Sequence, residues 1–64
     1  MSLKVGIIGL GPMGGNVASN LLQKQFSVAG YDLIQANIDA LDDVGIDAGT
    51  SVADVAEKAD VLIT

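Results

Sequence analysis

The chain has 64 residues, half of them apolar, and a formal net charge of −5. This length permits one small domain or part of a larger one, in which folding buries only about 60% of the unfolded surface. The chain contains no cysteine and no histidine, which excludes a disulfide framework, a thiolate metal site and an imidazole base. The lack of cysteine is compatible with a reducing compartment, and we expect a cytoplasmic protein.

The acidic balance also bears on possible partners. The only basic residues are Lys4, Lys24 and Lys58, which are too scattered along the chain to form a surface for nucleic acid. No apolar run approaches the roughly 20 residues that a membrane-spanning helix requires. We therefore expect neither a nucleic-acid nor a membrane partner.

Short apolar runs alternate with segments of helical periodicity. The runs KVGIIGL, SVAGY and VLIT, together with a brief segment at 46–49, predict four strands. The first run is rich in β-branched residues and is closed by glycine, which suits a strand buried on both faces of a parallel sheet. The regular alternation of strand and helix predicts right-handed crossovers and an α/β fold.

Three helices are predicted between these strands. The first begins at Pro12, where the missing N–H loses nothing, and the second ends at Gly45. The third is capped by Thr50 or Ser51, with Asp54 completing a weaker form of the capping box. The predicted inward faces comprise Met13, Val17, Ala18, Leu21 and Leu22; Ile34, Ile38 and Leu41; and Val52, Val55, Ala56 and Ala59.

The stretch GLGPMGGN, which follows the first strand and opens the first helix, contains the spacing Gly9-x-Gly11-x-x-Gly14. The first glycine permits a tight turn, the second lets a diphosphate approach the backbone, and the third lets helix and strand pack closely. The amides of the first helical turn lack partners and can hold an anion without any lysine. The alternative for a bare glycine triplet is a tight turn without a ligand.

An acidic residue stands where the nucleotide fingerprint requires one. Asp32 follows the second apolar run, and its carboxylate can accept hydrogen bonds from the hydroxyls of an adenosine ribose. It would repel a 2′-phosphate, and neither Leu33 nor Ile34 supplies a cation to receive one. The predicted cofactor is therefore NAD rather than NADP. The alternative is that Asp32 caps the following helix.

The residues GLGPMGGNVASNL, from Gly9 to Leu21, resemble the amino-terminal signature of the β-hydroxyacid dehydrogenase family, which includes 3-hydroxyisobutyrate dehydrogenase, tartronate semialdehyde reductase and 6-phosphogluconate dehydrogenase. Positions that match its pattern are Gly9, Gly11, Met13, Gly14, Ala18, Asn20 and Leu21. The segment ADVLIT resembles the family's fourth strand. One departure is Gln25-Phe26, which stands where relatives usually have a glycine that ends the first helix.

The resemblance implies a Rossmann-type parallel sheet with helices on both faces, of which this chain supplies the first half, with strand order 3-2-1-4. It also implies that Leu10, Pro12 and Met13 line the diphosphate turn, beside Gly9, Gly11 and Gly14, while Asp32 holds the ribose. The family's substrate-binding and catalytic segments have no counterpart in residues 1–64. We therefore expect these residues to form the amino-terminal part of a dinucleotide-binding domain, with no catalytic or metal-binding residue.

The resemblance implies an NAD-dependent oxidoreductase that moves a hydride to or from a small 3-hydroxyacid, such as 3-hydroxyisobutyrate. Two alternatives are a nucleotide-binding fragment without catalysis and another Rossmann reductase, of the pyrroline-5-carboxylate or prephenate type. The predicted fourth strand would expose an apolar edge, so self-association or a homo-oligomer is expected. The carboxylates of Asp39, Asp42 and Asp43 are interpreted as a solvated helix face rather than a metal site.

Overall fold

The computed structural model describes residues 3–64; the first two residues of the predicted domain, Met1 and Ser2, lie outside the described residues. Strands and helices alternate along the whole described chain. The elements are β1 (Lys4–Ile8), α1 (Pro12–Gln23), β2 (Ser27–Tyr31), α2 (Gln35–Asp42), β3 (Asp47–Ala48), α3 (Val52–Lys58) and β4 (Val61–Ile63). The predicted elements are all present; β2 has its predicted bounds, and the other three strands are one or two residues shorter than predicted.

The four strands form one parallel sheet in the order β3-β2-β1-β4. The predicted α/β class and the strand order 3-2-1-4 are thus confirmed. Within β1 and β2 the register places Ile8 beside Tyr31, so both strands end at the same level. This register brings the glycine-rich turn after β1 next to Asp32, the first residue after β2.

Helices cover both faces of the sheet because successive side chains of each strand point in opposite directions. On one face, α1 packs on β1 and β2, and α2 packs on α1 and β3. On the other face, α3 lies so close to β1 that a Cβ atom on Gly6 would come within 2.8 Å of side-chain atoms of Val55 and Ala59. The main core cluster comprises Val5, Ile7, Leu10, Ala18, Val28, Ile38, Leu41 and Ile46.

The predicted inward faces of the helices were partly wrong. Met13 is 83% exposed and Ile34 is 59% exposed. Met13 lies in the first turn of α1 and lines an open groove beside β4. Ile34 precedes α2 and is its N-cap. Other residues predicted to face inward but found exposed are Val17, Val52 and Ala56.

Two helix ends follow the sequence signals closely. The hydroxyl of Ser51 accepts a hydrogen bond from the Asp54 amide at 3.0 Å, while the Asp54 carboxylate accepts one from the Thr50 amide at 3.0 Å. Ser51 is therefore the cap of α3, and Asp54 closes a variant of the capping box. After α2, Gly45 has a φ of +97°, the left-handed conformation that glycine adopts without strain.

The end of α1 uses the same geometry without a glycine. The amides of Phe26 and Gln25 donate to the carbonyls of Leu21 and Leu22, a Schellman arrangement, and this forces Gln25 to a φ of +68°. The family's usual glycine at this position is thus replaced, while the cap itself is retained. The side chain of Gln25 imposes steric strain on the left-handed backbone.

We predict that Gln25→Gly stabilises the protein by about 0.5–1 kcal/mol, because glycine relieves this strain. Part of that stabilisation is offset because glycine also raises the conformational entropy of the unfolded chain. Urea denaturation of the two proteins measures the difference. The matched control is Gln23→Gly, two residues earlier and inside α1, which should destabilise by up to about 1 kcal/mol. Equal effects of the two substitutions would show that Gln25 is not strained.

Two of the three lysines are held at the amino-terminal side of the sheet. Lys4 and Lys58 both form ion pairs with Asp47, and Lys58 also pairs with Asp54 at 3.2 Å. The hydrogen bond from Lys4 is the main cause that lowers the pKa of Asp47 below its ordinary value of 3.8. The network joins β1, β3 and α3.

A lowered pKa makes stability depend on pH. The Asp47 pairs contribute fully above about pH 4 and are lost as the pH falls through the folded-state pKa, together with the contributions of Asp32 and Asp54, whose pKa values are also lowered. We predict that Asp47→Asn costs about 1 kcal/mol of unfolding free energy at pH 7 and much less at pH 2. Urea denaturation at both pH values tests this. Asp43→Asn, which removes an exposed carboxylate outside the network, should show no such difference.

The outer edge of the sheet is apolar. Within the described residues β4 pairs with β1 alone, and Val61, Leu62 and Ile63 are each at least 41% exposed. None of the helices in residues 3–64 is both long and apolar enough to cross a membrane.

Candidate functional site

The glycine-rich turn joins β1 to α1 at the carboxyl end of the sheet. Gly9 has a φ of +89°, and its amide donates to the Tyr31 carbonyl at 2.9 Å, so the turn is tied to β2. A Cβ atom on Gly14 would overlap the Gly9 carbonyl oxygen, which shows how closely α1 approaches the turn. Gly9 and Gly14 are thus required by the fold itself.

Gly11 differs from the other two glycines. A Cβ atom placed on it would meet no protein atom within 4 Å, and its φ of −68° suits any residue. The protein therefore gives no steric reason for a glycine at this position. The open space beside Gly11 is the space through which a diphosphate would approach the backbone.

The tip of α1 presents unpaired donors to this space. Pro12 has no N–H, and the Gly15 amide is the first of the helix to bond backward, to the Gly11 carbonyl at 2.7 Å. Across residues 3–64, the amides of Met13 and Gly14 donate to no protein acceptor. These two N–H groups, at the positive end of the helix dipole, could hold an anion, and we call them the candidate anion site.

Asp32 connects the end of β2 to the glycine-rich turn. Its Oδ2 accepts hydrogen bonds from the Leu10 amide at 2.7 Å and from Nδ2 of Asn37 at 3.1 Å. Its Oδ1 accepts one from the Ile34 amide at 2.9 Å. Asp32 is not the N-cap of α2, a position that Ile34 occupies without a side-chain cap. The capping alternative for Asp32 is therefore not what the structure shows.

These donors keep the carboxylate ionised. Hydrogen bonds from the amides of Ile34 and Leu10, and then from the Asn37 side chain, lower the pKa of Asp32 from its ordinary value of 3.8. A negative charge therefore stands beside the glycine-rich turn at neutral pH. It can accept hydrogen bonds from hydroxyl groups and repels a second anion.

A groove of about 290 Å³ opens beside Asp32, at the carboxyl ends of β1 and β2. Leu33, 91% exposed, and Val52, 48% exposed, form its apolar sides. A flat aromatic ring between them would remove apolar surface from water. The remaining lining residues are Ile8, Gly9, Tyr31 and Asp32.

A second groove, also of about 290 Å³, lies on the other side of the turn, between α1 and β4. Its lining includes Met13, Gly14, Val17 and Ile63. The candidate anion site at the tip of α1 thus lies between two grooves. This arrangement suits an elongated ligand whose charged centre is a diphosphate.

The structure brings the sequence-predicted site residues together at one edge of the sheet. Gly9, Gly11, Gly14 and Asp32 lie around the same turn, and Pro12 and Met13 are exposed at the helix tip. Leu10 differs, because its side chain is 3% exposed in the core and its amide is bonded to Asp32. Its part in the site is to anchor the turn.

Sequence reasoning missed two sets of residues. Helical periodicity predicts Val52 on the inward face of α3, although it lines the first groove, and the sequence gives Leu33 no role beyond its lack of charge. The sequence pattern assigns no role to Asn37, although its amide holds the Asp32 carboxylate. A signal for Asn37 was available: it follows Asp32 by five residues, a spacing at which an early helix residue can reach back across the strand–helix turn.

The fold and the site together define a nucleotide-binding α/β domain of the Rossmann type. Comparison with known proteins agrees: the family model for the NAD-binding domain of 6-phosphogluconate dehydrogenase matches residues 4–64. The chain belongs to this family of NAD-binding domains. The resemblance seen in the sequence is confirmed.

Named relatives are dehydrogenases. The chain is 41% identical over 63 residues to a probable mitochondrial 3-hydroxyisobutyrate dehydrogenase of Dictyostelium discoideum, covering 98% of this chain and 20% of that protein. It is 38% identical over 61 residues to an NAD-dependent L-serine dehydrogenase of Pseudomonas aeruginosa, covering 95% of this chain and 20% of that protein.

A solved structure of similar sequence is 3-hydroxyisobutyrate dehydrogenase of Mycobacterium tuberculosis with L-serine. It superposes with a TM-score of 0.92 at 28% identity, and the match covers all of this chain and 22% of that one. The chain spans about a fifth of the length of the curated relatives it matches.

Proposed function

We propose that this domain binds NAD, with the diphosphate on the tip of α1 and the adenosine in the groove between Leu33 and Val52. The observation that carries the proposal is that three features lie around one turn. They are the empty space beside Gly11, two unpaired amides at the tip of α1, and the ionised carboxylate of Asp32 after the neighbouring strand. The residues proposed to contact the cofactor are Gly9, Gly11, Pro12, Met13, Gly14 and Asp32, with Leu10 acting through its bond to Asp32.

The preference for NAD over NADP is argued from charge. A 2′-phosphate would lie close to the Asp32 carboxylate, and like charges at that range repel. The positive side chains of Lys4 and Lys58 are engaged at the opposite end of the strands and cannot offset this repulsion. A relative named as an NAD-dependent L-serine dehydrogenase supports the same preference.

Titration calorimetry with ADP-ribose, NAD and NADP tests cofactor binding directly. ADP-ribose and NAD should bind with similar affinity if the described residues contact mainly the adenosine and the diphosphate, and NADP should bind at least about tenfold more weakly. Equal binding of NAD and NADP would contradict the proposed role of Asp32. No binding of any of the three would refute the proposal as a whole.

We further propose that the domain serves an oxidoreductase that moves a hydride between NAD and a small 3-hydroxyacid. The names of the relatives support this reaction class, and L-serine, found with one of them, is itself a 3-hydroxy acid. The protein at its natural length should reduce NAD with 3-hydroxyisobutyrate or L-serine, measured as NADH absorbance. Reduction with 2-hydroxyacids alone would contradict the substrate class. The 64-residue chain by itself should bind cofactor without turnover.

For the 64-residue chain, we propose self-association through the β4 edge. An open, apolar strand edge is a template for pairing with a second copy, and Val61 and Ile63 leave more than two fifths of their surface in water. Sedimentation velocity at high micromolar concentration should show a dimer or larger species. The edge variant Leu62→Lys should shift the protein toward monomer. A monomer at all concentrations would contradict the proposal.

A further inference from the structure

Asn37 makes a contact that the strand–turn–helix pattern does not require. It is the third residue of α2 and is half-buried, and its amide nitrogen donates to Oδ2 of Asp32 at 3.1 Å. The same Oδ2 receives the Leu10 amide from the glycine-rich turn at 2.7 Å. Asn37 therefore shares an oxygen with the turn that approaches the proposed diphosphate.

Counting acceptor positions shows what this contact does. An ionised carboxylate offers about four positions for hydrogen-bond donors, two on each oxygen. Both positions on Oδ2 are taken, by Leu10 and Asn37, and one on Oδ1 is taken by the Ile34 amide. Within residues 3–64 the other nearby backbone donor is the Leu33 amide, which contributes least to the lowered pKa of Asp32 and forms no well-aligned hydrogen bond with it. One acceptor position, on Oδ1, thus remains for an incoming hydroxyl.

We propose that Asn37 is a positioning residue for recognition of the adenosine ribose diol: by holding Oδ2 on the protein side, it leaves Oδ1 of Asp32 as the oxygen that receives the sugar hydroxyl. This inference rests on the proposed function of the domain. It adds that the sugar is selected by an Asp32–Asn37 pair rather than by the carboxylate alone.

The physical reason is orientation. Without the Asn37 amide, one position on Oδ2 is open, and the ribose hydroxyls can bond to either oxygen in several rotated arrangements of the carboxylate. Part of the binding energy is then spent on fixing the carboxylate in one of these arrangements. The ratio of the affinity for a ligand with the ribose diol to the affinity for one without it should therefore fall. The contacts to the diphosphate should be unaffected.

The test compares two ligands that differ only in the diol, ADP and 2′,3′-dideoxy-ADP, by titration calorimetry. The unchanged protein should prefer ADP. In Asn37→Ala this preference should fall by about fivefold, as expected for loss of one ordered hydrogen bond, with the affinity for the dideoxy ligand unchanged. Asn37→Asp, which has the same shape but places a second carboxylate beside Asp32, should reduce the preference at least as much.

Gln35→Ala is the matched control, because it removes another α2 side-chain amide that bonds to an aspartate, Asp39, at 3.0 Å. It should keep the ADP preference of the unchanged protein. A retained preference in folded Asn37→Ala or Asn37→Asp overturns the inference, as does equal weakening of both ligands, which marks a general structural effect. If the unchanged protein binds ADP but shows no preference for the diol, this inference fails while diphosphate binding stands; if it binds neither ligand, the proposed function fails as well.

Discussion

Gly11→Ala is expected to weaken NAD binding at least about tenfold while leaving the protein folded. The added methyl group meets no protein atom, and the backbone at Gly11 already has a conformation that alanine adopts freely. The methyl group instead enters the space proposed for the diphosphate. We expect affinity for NAD or ADP to fall at least about tenfold, or 1.4 kcal/mol, with a loss of stability below about 1 kcal/mol.

Gly14→Ala is the matched comparison, three residues further along the same motif. Here the methyl group would overlap the Gly9 carbonyl oxygen, so α1 must move away from the turn. We expect a loss of several kcal/mol in unfolding free energy, enough to unfold a domain of this size. Circular dichroism and urea denaturation separate the two variants. Normal NAD binding by folded Gly11→Ala would show that the diphosphate does not approach at this position.

Asp32→Asn is expected to change which cofactor binds. The substitution keeps the shape of the side chain and removes its charge, so NAD affinity should fall by about tenfold or more while discrimination against NADP is largely lost. The amide nitrogen of the new side chain can no longer accept from Leu10 or Ile34, and a small loss of stability is expected as well.

Calorimetry with NAD and NADP on the same preparations measures the change in selectivity. Asp39→Asn is the control, since Asp39 is an exposed α2 carboxylate whose described side-chain contact is with Gln35. It should leave both affinities unchanged. If Asp32→Asn still rejected NADP, the 2′-phosphate would have to be excluded by shape rather than by the carboxylate charge.

The parts of the fold that sequence could predict are those with local causes. Four such features depend only on neighbouring residues and are found as expected. They are the turn at Gly9, the close packing at Gly14, the helix cap at Ser51 and the left-handed turn at Gly45. The strand order followed from the resemblance, since alternation of strands and helices alone does not state which strand is central.

The parts that sequence could not predict depend on how elements meet. Periodicity shows that α1 and α3 have apolar faces, but it does not show that Met13, in the first turn of α1, lines an open groove and stays exposed. The exposed position of Val52 has the same origin, because α3 rests on the sheet mainly through Val55 and Ala59 opposite Gly6. The bonds of Asp32 to Leu10 and Asn37 likewise depend on the packing of β1, β2 and α2.

Among residues 3–64, the candidate anion site at the tip of α1 offers backbone dipoles and no cationic side chain, in a protein of net charge −5. A ligand such as NAD, itself negative, is therefore repelled at long range and attracted only at contact. Added salt screens the repulsion over about 10 Å at 0.1 M and has little effect on short, partly enclosed amide contacts. Association with the cofactor should consequently become faster as ionic strength rises, the reverse of the behaviour of sites built from lysine and arginine.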